Sequence, residues 1–506
     1  MVIVHGALVG LLLSAVLTAV SFLGWKVAGL PFAPFDVFDW IVRLLPGRVV
    51  TAAIDVSVAV SRFFGVASIS AAAKAGDQAL AITGVLVSGT VAGAALFAVL
   101  SLSDEPARLF GLILGATLGG LAFVAERQLQ RLPPGLSAAG VWVLATFVVW
   151  GFSFGWAHDR WRLSTTEDTE DTEGRRNDRR RFLRRLVGVT TLLSAASMVA
   201  GIVAGRRERR VAGRRWSDDH PLPNADDAVA PVAGTRAEFT PIESFYRIDT
   251  DTRPPSIDAS RWRLTIGGLV DRPQQLTLDE LRALDPVELF ATLSCISNPP
   301  GGDLISTTRW TGVSLSRLLP HLALQPSATH LKIVSADGFF ESIALDAVRE
   351  DERVMLAYAW DGVPLAIEHG YPLRLYVPDL YGMKQPKWIV AIEATNAWEP
   401  GYWVARGWSR DGRVSTSSAV DVVRARDGML DVGGVAFAGA RGVAKVEVRI
   451  DDGDWHDARI RRPLSNVSWV VWRATLPSSA GDHRITVRAV DGRGDVQSAP
   501  LHSRRT

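Results

Sequence analysis

The sequence predicts a multi-domain protein: transmembrane α-helices first, then an α+β domain, then an all-β sandwich. Three observations predict it. Residues 1–157 are dominated by Ala, Val, Leu, Gly and Phe, in runs long enough to cross a bilayer. From residue 237 on, short apolar runs are separated by turn signals, with few helical patterns. From residue 409 on, apolar and polar residues alternate with strand period.

Crossing hydrocarbon takes about 20 mostly apolar residues in a helix. Segments 7–27, 79–102, 107–125 and 138–156 meet that need, so residues 1–157 read as a four-span membrane domain. Gly89 and Gly93 in the second span, and Gly111, Gly115 and Gly119 in the third, are spaced for close helix approach. Residues 35–64 mix apolar side chains with Asp39, Arg43, Arg48, Asp55 and Arg62. They read as an amphipathic helix on the membrane surface, or as a tilted sixth crossing.

Residues 158–210 read as a cytoplasmic Arg-rich loop and a fifth span at 186–205. Arg175, Arg176, Arg179, Arg180, Arg181, Arg184 and Arg185 would hold the loop inside. The N-terminus then starts inside, and everything after the fifth span is extracytoplasmic. Arg127 and Arg131 run against this rule, because they would lie outside. Asp178-Arg179-Arg180-Arg181-Phe182-Leu183 also resembles a twin-arginine export signal, an address read by a receptor. A positive-inside anchor is the other reading of the same residues. The spans hold too few ionisable residues at membrane depth for a transporter.

Residues 211–236 are charged and lack apolar periodicity, which reads as a linker. In 237–408, strands are expected at "RWRLTIGG" from Arg261, "HLKIVSADG" from His330, "PLRLYVP" from Pro372 and "KWIVAIEAT" from Lys387. Asp337-Gly338 and Asp361-Gly362 are turn signals, and Thr277 with Glu280 forms a capping box that opens a helix. In 409–506, Val446, Val448 and Ile450 face one way and Lys445, Glu447 and Arg449 the other. Asp452-Gly453 then supplies a hairpin turn, and "HRITVRAVDGRG" repeats the pattern. With Trp455, Trp469 and Trp472 as buried candidates, this is an immunoglobulin-like sandwich.

A net charge of +2 leaves no excess of basic residues and gives no sign of a nucleic-acid partner. Cys295 is the only cysteine, which excludes an intrachain disulfide. It is either a small buried hydrophobe or a thiolate that binds a metal or attacks a substrate. Its stretch, "LFATLSCISNPPGGDLISTTRW", is rich in Ser, Asn, Pro and Gly, a poor place to hide a hydrophobe.

"TPIESFYRID" from Thr240, "TLSCISN" around Cys295, "RWTGVSL" from Arg309 and "DGVPLAIEHGYPLRLYVPDLYGMKQPKWI" from Asp361 follow one another in order, with "GVAKVEVRIDDG" beyond. On these stretches the chain resembles the sulfite oxidase family of molybdopterin-dependent oxidoreductases, from about residue 240 onward. The resemblance implies a sulfite-oxidase-like α+β domain and an immunoglobulin-like dimerisation-type domain. It also implies a molybdenum–molybdopterin cofactor and oxygen-atom transfer to or from a small substrate. Cys295 would ligate the molybdenum, a soft donor suited to that metal. Cys295, Arg247 and Tyr358 would be the catalytic residues, though Tyr358 reads equally as core.

Tyr246, Arg247, Ser335, Asp337, His369, Arg374, Lys384, Gln385, Pro386 and Lys387 would bind the cofactor. Arg374 offers a planar fork to its phosphate, and Lys384 and Lys387 offer point charges. Which of Ser335 and Asp337 touches the pterin stays open. The plain alternative for each charged residue is solvated surface.

The chain departs from the family's pattern in two places. Sulfite oxidases carry two arginines shortly after the cysteine, where this chain has Ile296-Ser297-Asn298-Pro299-Pro300. The leading strand reads Arg247-Ile248-Asp249 in place of Arg-Asn-His. An anionic substrate needs concentrated positive charge, so sulfite is not assigned, and a neutral S-oxide, N-oxide or other small molecule fits as well. No haem or iron–sulfur cluster is expected: there is one cysteine, no Cys-x-x-Cys-His motif, and only His5 and His158 near the spans. An external electron carrier, or a haem- or quinone-linked membrane subunit, is therefore implied. The contrasting expectation is a membrane-tethered binding protein of the same fold that has lost the cofactor.

Overall fold

The computed structural model describes residues 2–63, 69–102, 106–132, 135, 137–166, 172–205, 213–477 and 481–498. The chain forms two compact units that interleave in sequence. The first holds Met1–Leu45, Lys74–Arg210 and Thr250–Arg253; the second holds Pro46–Ala73, Val211–Asp249 and Pro254–Thr506.

The first unit is helical, with α1 Val2–Ala28, α2 Ala33–Leu44, α4 Ile69–Leu100, α5 Ala107–Gln128, α6 Ala138–Thr166 and α7 Thr172–Gly205; α3, Gly47–Phe63, belongs to the second. Five helices are long and apolar enough to cross a membrane: Val2–Ala28, Ala71–Leu100, Ala107–Gln128, Ala138–Arg162 and Arg181–Val203. The glycine stripes are their contact seams. A side chain at Gly111 or Gly115 would strike the backbone of α6 at Phe147 and Gly151, and one at Gly6 or Gly10 would strike α4 at Gly93 and Gly89. Helix α7 runs unbroken through the Arg-rich stretch; the side chains of residues 172–180, with Arg179 and Arg180 among them, lie outside the described residues.

Residues 35–64 do not make one helix. Pro46 has no N–H to continue α2, and Leu45 before it is extended at ψ 144°. Helix α2 buries Asp36 and Asp39 in the first unit.

Those two carboxylates belong to an ion cluster. Arg253 donates to Asp36 at 3.0 and 2.7 Å, and Arg131 pairs with Asp36 as well. Arg131 also reaches Asp39 at 3.0 Å and Asp251 at 2.7 Å, and Arg43 reaches Asp251 at 2.6 Å. Thr252 donates its N–H and hydroxyl to Asp39 at 2.9 and 3.0 Å, and Lys74 caps the Asp251 carbonyl at 2.6 Å. Glu126, also fully buried, has no hydrogen-bond partner on either carboxylate oxygen among the described residues. The cluster joins residues that follow the first and third apolar helices with residues 251–253, and Gly201 near the end of α7 lies against Phe22 near the end of α1, so those three ends lie together. It also gives Arg131 a structural role: its charge is matched by the buried carboxylates of Asp36, Asp39 and Asp251.

The second unit contains an α+β part and a sandwich. One five-stranded sheet runs β2-β1-β10-β5-β6. It uses β1 Leu264–Gly268, β2 Gln274–Leu276, β5 His330–Ser335, β6 Phe340–Ala344 and β10 Ile389–Thr395. The other runs β3-β4-β7-β8 with β9 also on β7, from β3 Pro286–Ser294, β4 Ile305–Ser314, β7 Met355–Trp360, β8 Val363–Pro364 and β9 Arg374–Tyr376. Only β1 and β10 pair in parallel. Leu264, Ile266, Leu331, Ile333, Leu356 and Ile392 fill the core between the sheets. The predicted strands and turns appear: Asp361 and Gly362 take φ of 46° and 79° at the β7–β8 hairpin. Thr277 and Glu280 cap the helix Leu278–Arg282 reciprocally.

The sandwich packs β11-β12-β16-β15 on β14-β13-β17, from β11 Ser417–Arg426, β12 Met429–Phe437, β13 Val443–Ile450, β14 His456–Asp457, β15 Arg459–Ile460, β16 Val470–Pro477 and β17 Ile485–Asp491. Val446, Val448 and Trp472 form its core, and Trp469 is buried against Tyr381 and Phe437. Trp455 differs from expectation. It stands half-buried before the short edge strand β14, with Arg449 and Arg488 stacked on it at 4.8 and 4.1 Å.

The described part of the expected linker, residues 213–236, is fixed to the second unit. Arg236 pairs with Asp421 at 2.6 Å and donates to the Gly302 carbonyl at 3.0 Å, while buried Asn224 donates to Glu238 at 2.7 Å. Its polar residues lack periodicity because they make loop hydrogen bonds.

Candidate functional site

The site gathers on the face of the second sheet turned away from the inter-sheet core. Tyr246 follows the short turn Ile242–Ser244, donates its N–H to Ser306 Oγ at 3.1 Å, and buries its ring with Leu293, Trp310 and Ala357. Cys295 sits half-buried at the edge of this cluster, at the start of the β3–β4 loop. The loop is tied by Cys295 N–H to Leu304 carbonyl at 2.9 Å, by Asn298 N–H to Cys295 carbonyl at 3.0 Å, and by Leu304 N–H to Asn298 Oδ1 at 2.9 Å. Asn298 thus fixes the loop that presents the thiol. Burial pushes the Tyr246 hydroxyl well above its usual range, the nearby Cys295 adds to this, and Arg374 opposes it.

Around this edge stand buried cations. Arg374, on β9, is 4% exposed and lies 4.9 Å from the Trp310 ring; its Nη1 donates to the His369 carbonyl at 3.1 Å. Burial lowers its pKa to about 10. Lys387 donates to the carbonyls of Ile248 and Glu368 at 3.0 and 3.2 Å and to the Asp249 carboxylate. Burial lowers it to about 8, against the pull of Asp249. Arg247 donates Nε to Asp249 at 2.5 Å. His369, between Trp360 at 4.6 Å and Phe245 at 5.6 Å, is held well below its usual range by burial first, then by Lys387 and Arg374. It is therefore neutral at pH 7.

Among the described residues Asp249 pairs with both Arg247 and Lys387, while buried Arg374 has no carboxylate partner, so positive charge is in excess here. Among the described residues, Arg247 Nη2, Arg374 Nε and Ser335 Oγ are buried without a hydrogen-bond partner, as are Trp360 Nε1 and Gln385 Oε1. Ser335 ends β5 opposite Ile389, two residues beyond Lys387. A group bearing acceptor oxygens and negative charge suits the unsatisfied donors of Arg247 and Arg374.

Other expected residues stand differently. Asp337 accepts the Phe339 N–H at 3.0 Å and closes the β5–β6 turn. Lys384 forms a buried pair with Glu341 at 3.1 Å. Gln385 donates to the carbonyls of Val377 and Leu380 at 3.2 and 2.7 Å, and the Pro386 carbonyl accepts from Leu375. These four brace the loops beside the cations. Tyr358 is the extra residue of a β-bulge between β4 and β7 and turns toward the inter-sheet core, with Arg282 5.8 Å from its ring. The structure does not group it with Cys295. Asp249 and Trp310 were not among the expected site residues. Asp249 read in the sequence only as a lost histidine, and a Trp beneath an arginine has no sequence signature beyond its aromatic character.

Residues 251–403 match the oxidoreductase molybdopterin binding domain, and residues 412–503 match the Mo-co oxidoreductase dimerisation domain. The uncharacterized oxidoreductase YuiH of Bacillus subtilis is 30% identical over 169 residues, 33% of this chain and 83% of its own. Sulfite oxidase of Arabidopsis thaliana is 26% identical over 328 residues, 52% of this chain and 83% of its own. A protein of Azospira oryzae, named as a protein-methionine-sulfoxide reductase subunit, is 31% identical over 169 residues, 33% of this chain and 61% of its own. Among solved structures, the sulfane dehydrogenase SoxCD of Paracoccus pantotrophus aligns at TM-score 0.48 and 22% identity, over 59% of this chain and 86% of that one.

Proposed function

The chain belongs to the sulfite oxidase family of molybdopterin-dependent oxidoreductases, and on that premise we propose a membrane-anchored enzyme that moves an oxygen atom to or from a small extracytoplasmic substrate, with Cys295 as the thiolate on molybdenum. One observation carries the reading: buried cations in excess, with Arg247 Nη2, Arg374 Nε and Ser335 Oγ unsatisfied, beside the cluster that Cys295 joins. The pterin's phosphate and polar ring edges fit that donor set.

In this reading Arg247, Arg374 and Lys387 hold the phosphate, and Asp249 orients Arg247 and Lys387. The Ser335 hydroxyl, rather than the occupied Asp337, meets the pterin. Lys384 contributes through its pairing with Glu341. Neutral His369 adds no further charge to the site. The bound cofactor supplies two-electron oxygen-atom exchange, which the protein directs by orientation and electrostatics. After Cys295 the loop carries Pro299 and Pro300 where an anion-binding enzyme would place cations, which supports a neutral substrate such as an S-oxide or N-oxide. The name of the Azospira relative points to the same class. Electrons pass to or from an external carrier or a haem- or quinone-linked membrane subunit.

The ends of the first, third and fifth apolar helices lie together, and the arginine-rich stretch lies ahead of the fifth helix. With that stretch inside, both support an extracytoplasmic site.

The test is metal content. Full-length protein made with a working cofactor pathway should carry about one molybdenum per chain, and Cys295→Ser should lose metal and activity while keeping its fold. Metal-free wild-type protein would favour the cofactor-free binding protein instead.

Lys387 adds a pH dependence. Its folded pKa of about 8 lies below the ordinary 10.5, so between these values the native chain holds fewer protons than the unfolded chain. Cofactor-free protein should therefore become more stable as pH rises from about 8 toward 10.5. Cofactor retention should fall over the same range, because the phosphate loses a cation. Thermal unfolding and cofactor release, each followed against pH, read the two opposite slopes.

A further inference from the structure

Helix α3 has two apolar faces, and the described residues cover one of them and leave valines exposed on the other. Its inner face belongs to the second unit: Ile54 packs on the cluster that holds Trp408, and Val58 on the cluster that holds Tyr246. Trp408 Nε1 donates to Thr51 Oγ1 at 2.9 Å, and Gly47 lies against the Arg406 backbone, where a side chain would clash. On the opposite face Val49, Val56 and Val60 are 49%, 63% and 49% exposed, and Phe63 continues the line at 84%. Exposed alanines at 52, 53 and 59 fill the gaps between them. No charge interrupts this stripe. By helical position, Arg48, Asp55 and Arg62 recur every seven residues along one edge.

We propose that α3 is a bilayer-surface anchor: it grips the second unit with one face and sinks the other into the headgroup–acyl boundary. An interfacial helix has this form, an apolar stripe edged by charge at headgroup depth. Helix α3 is about 25 Å long, enough to lie along a surface and too short to cross hydrocarbon. Its place in the chain favours lipid as the occupant, because it lies between two apolar helices and ends a few residues before the one that starts at Ala71. The exposed Leu44 and Leu45 precede it directly. A second copy of the chain is the competing occupant, since Val49, Ala53, Val56, Val60 and Phe63 alternate at four and three residues. However, α3 has 17 residues, under the three to four heptads that a coiled coil needs. The inference rests on the membrane-anchored reading and adds where the catalytic unit meets the bilayer.

The test places a benzophenone amino acid at Val56, at Val60, or at Asp55 on the charged edge, in the full chain reconstituted into phospholipid vesicles. Illumination should yield lipid-modified peptide from the two valine positions at about five-fold the level from Asp55. Covalent dimers from Val56 or Val60 would overturn lipid in favour of a second copy. Absence of both adducts, in protein that floats with the vesicles, would overturn the anchor and leave the membrane-anchored reading standing. Protein that does not float would overturn both. Molybdenum content, measured in parallel, verifies that each variant is folded.

Discussion

Arg374→Met will cost the protein its cofactor and leave the cofactor-free chain at least as stable. The guanidinium is buried and, among the described residues, donates one hydrogen bond, to the His369 carbonyl, besides its stacking on Trp310. Its Nε is unsatisfied. A buried cation with so few partners weakens a fold unless an anion joins it, and an apolar isostere is often neutral or stabilising. With the phosphate bound the balance reverses, because a charge-assisted bond contributes about 1.5–3 kcal/mol, roughly a ten- to hundredfold change in affinity. Molybdenum content and cofactor fluorescence should therefore fall by about that factor in the variant. The melting temperature of cofactor-free protein should hold or rise. A residue that serves only structure would instead lower stability and leave cofactor content per folded chain unchanged. Arg374→Lys should recover part of the affinity, since it restores the charge without the fork.

Arg131→Ala will have its effect in the other unit. One guanidinium contacts Asp36, Asp39 and Asp251, whose side chains are 0%, 2% and 2% exposed. Removing it leaves three buried carboxylates whose partners among the described residues include Arg253, Arg43, Thr252 and the Phe32 N–H. Breaking a buried pair from one side costs about 3–5 kcal/mol, and a shared cation sits at the upper end of that range. The full chain in detergent should unfold at markedly lower temperature, and lowering the pH, which protonates the stranded carboxylates, should restore part of the loss. Replacing Arg317, whose Asp285 and Glu352 partners are exposed, should change stability little by comparison. Equal sensitivity at both positions would refute the special weight given to the cluster.

Much of this protein is written locally. Five helices follow from runs of apolar residues, their seams from glycines four apart, and the sheets from alternation closed by Asp-Gly turns. These are short-range properties, set by backbone sterics and by the transfer of a side chain from water. Cys295, Arg247, Arg374 and Lys387 stand out in the sequence because they sit in ordered motifs around a lone cysteine.

What the fold alone decided is which charges meet. Asp249 looked like a lost histidine until folding set it against both Arg247 and Lys387. Lys384 and Lys387, three residues apart, have different partners, Glu341 and Asp249, because a short turn aims them differently. Tyr358 follows its bulge into the core, and Arg131 finds carboxylates from distant parts of the chain. Electrostatic energy depends on distance and burial, and neither can be read from the order of residues.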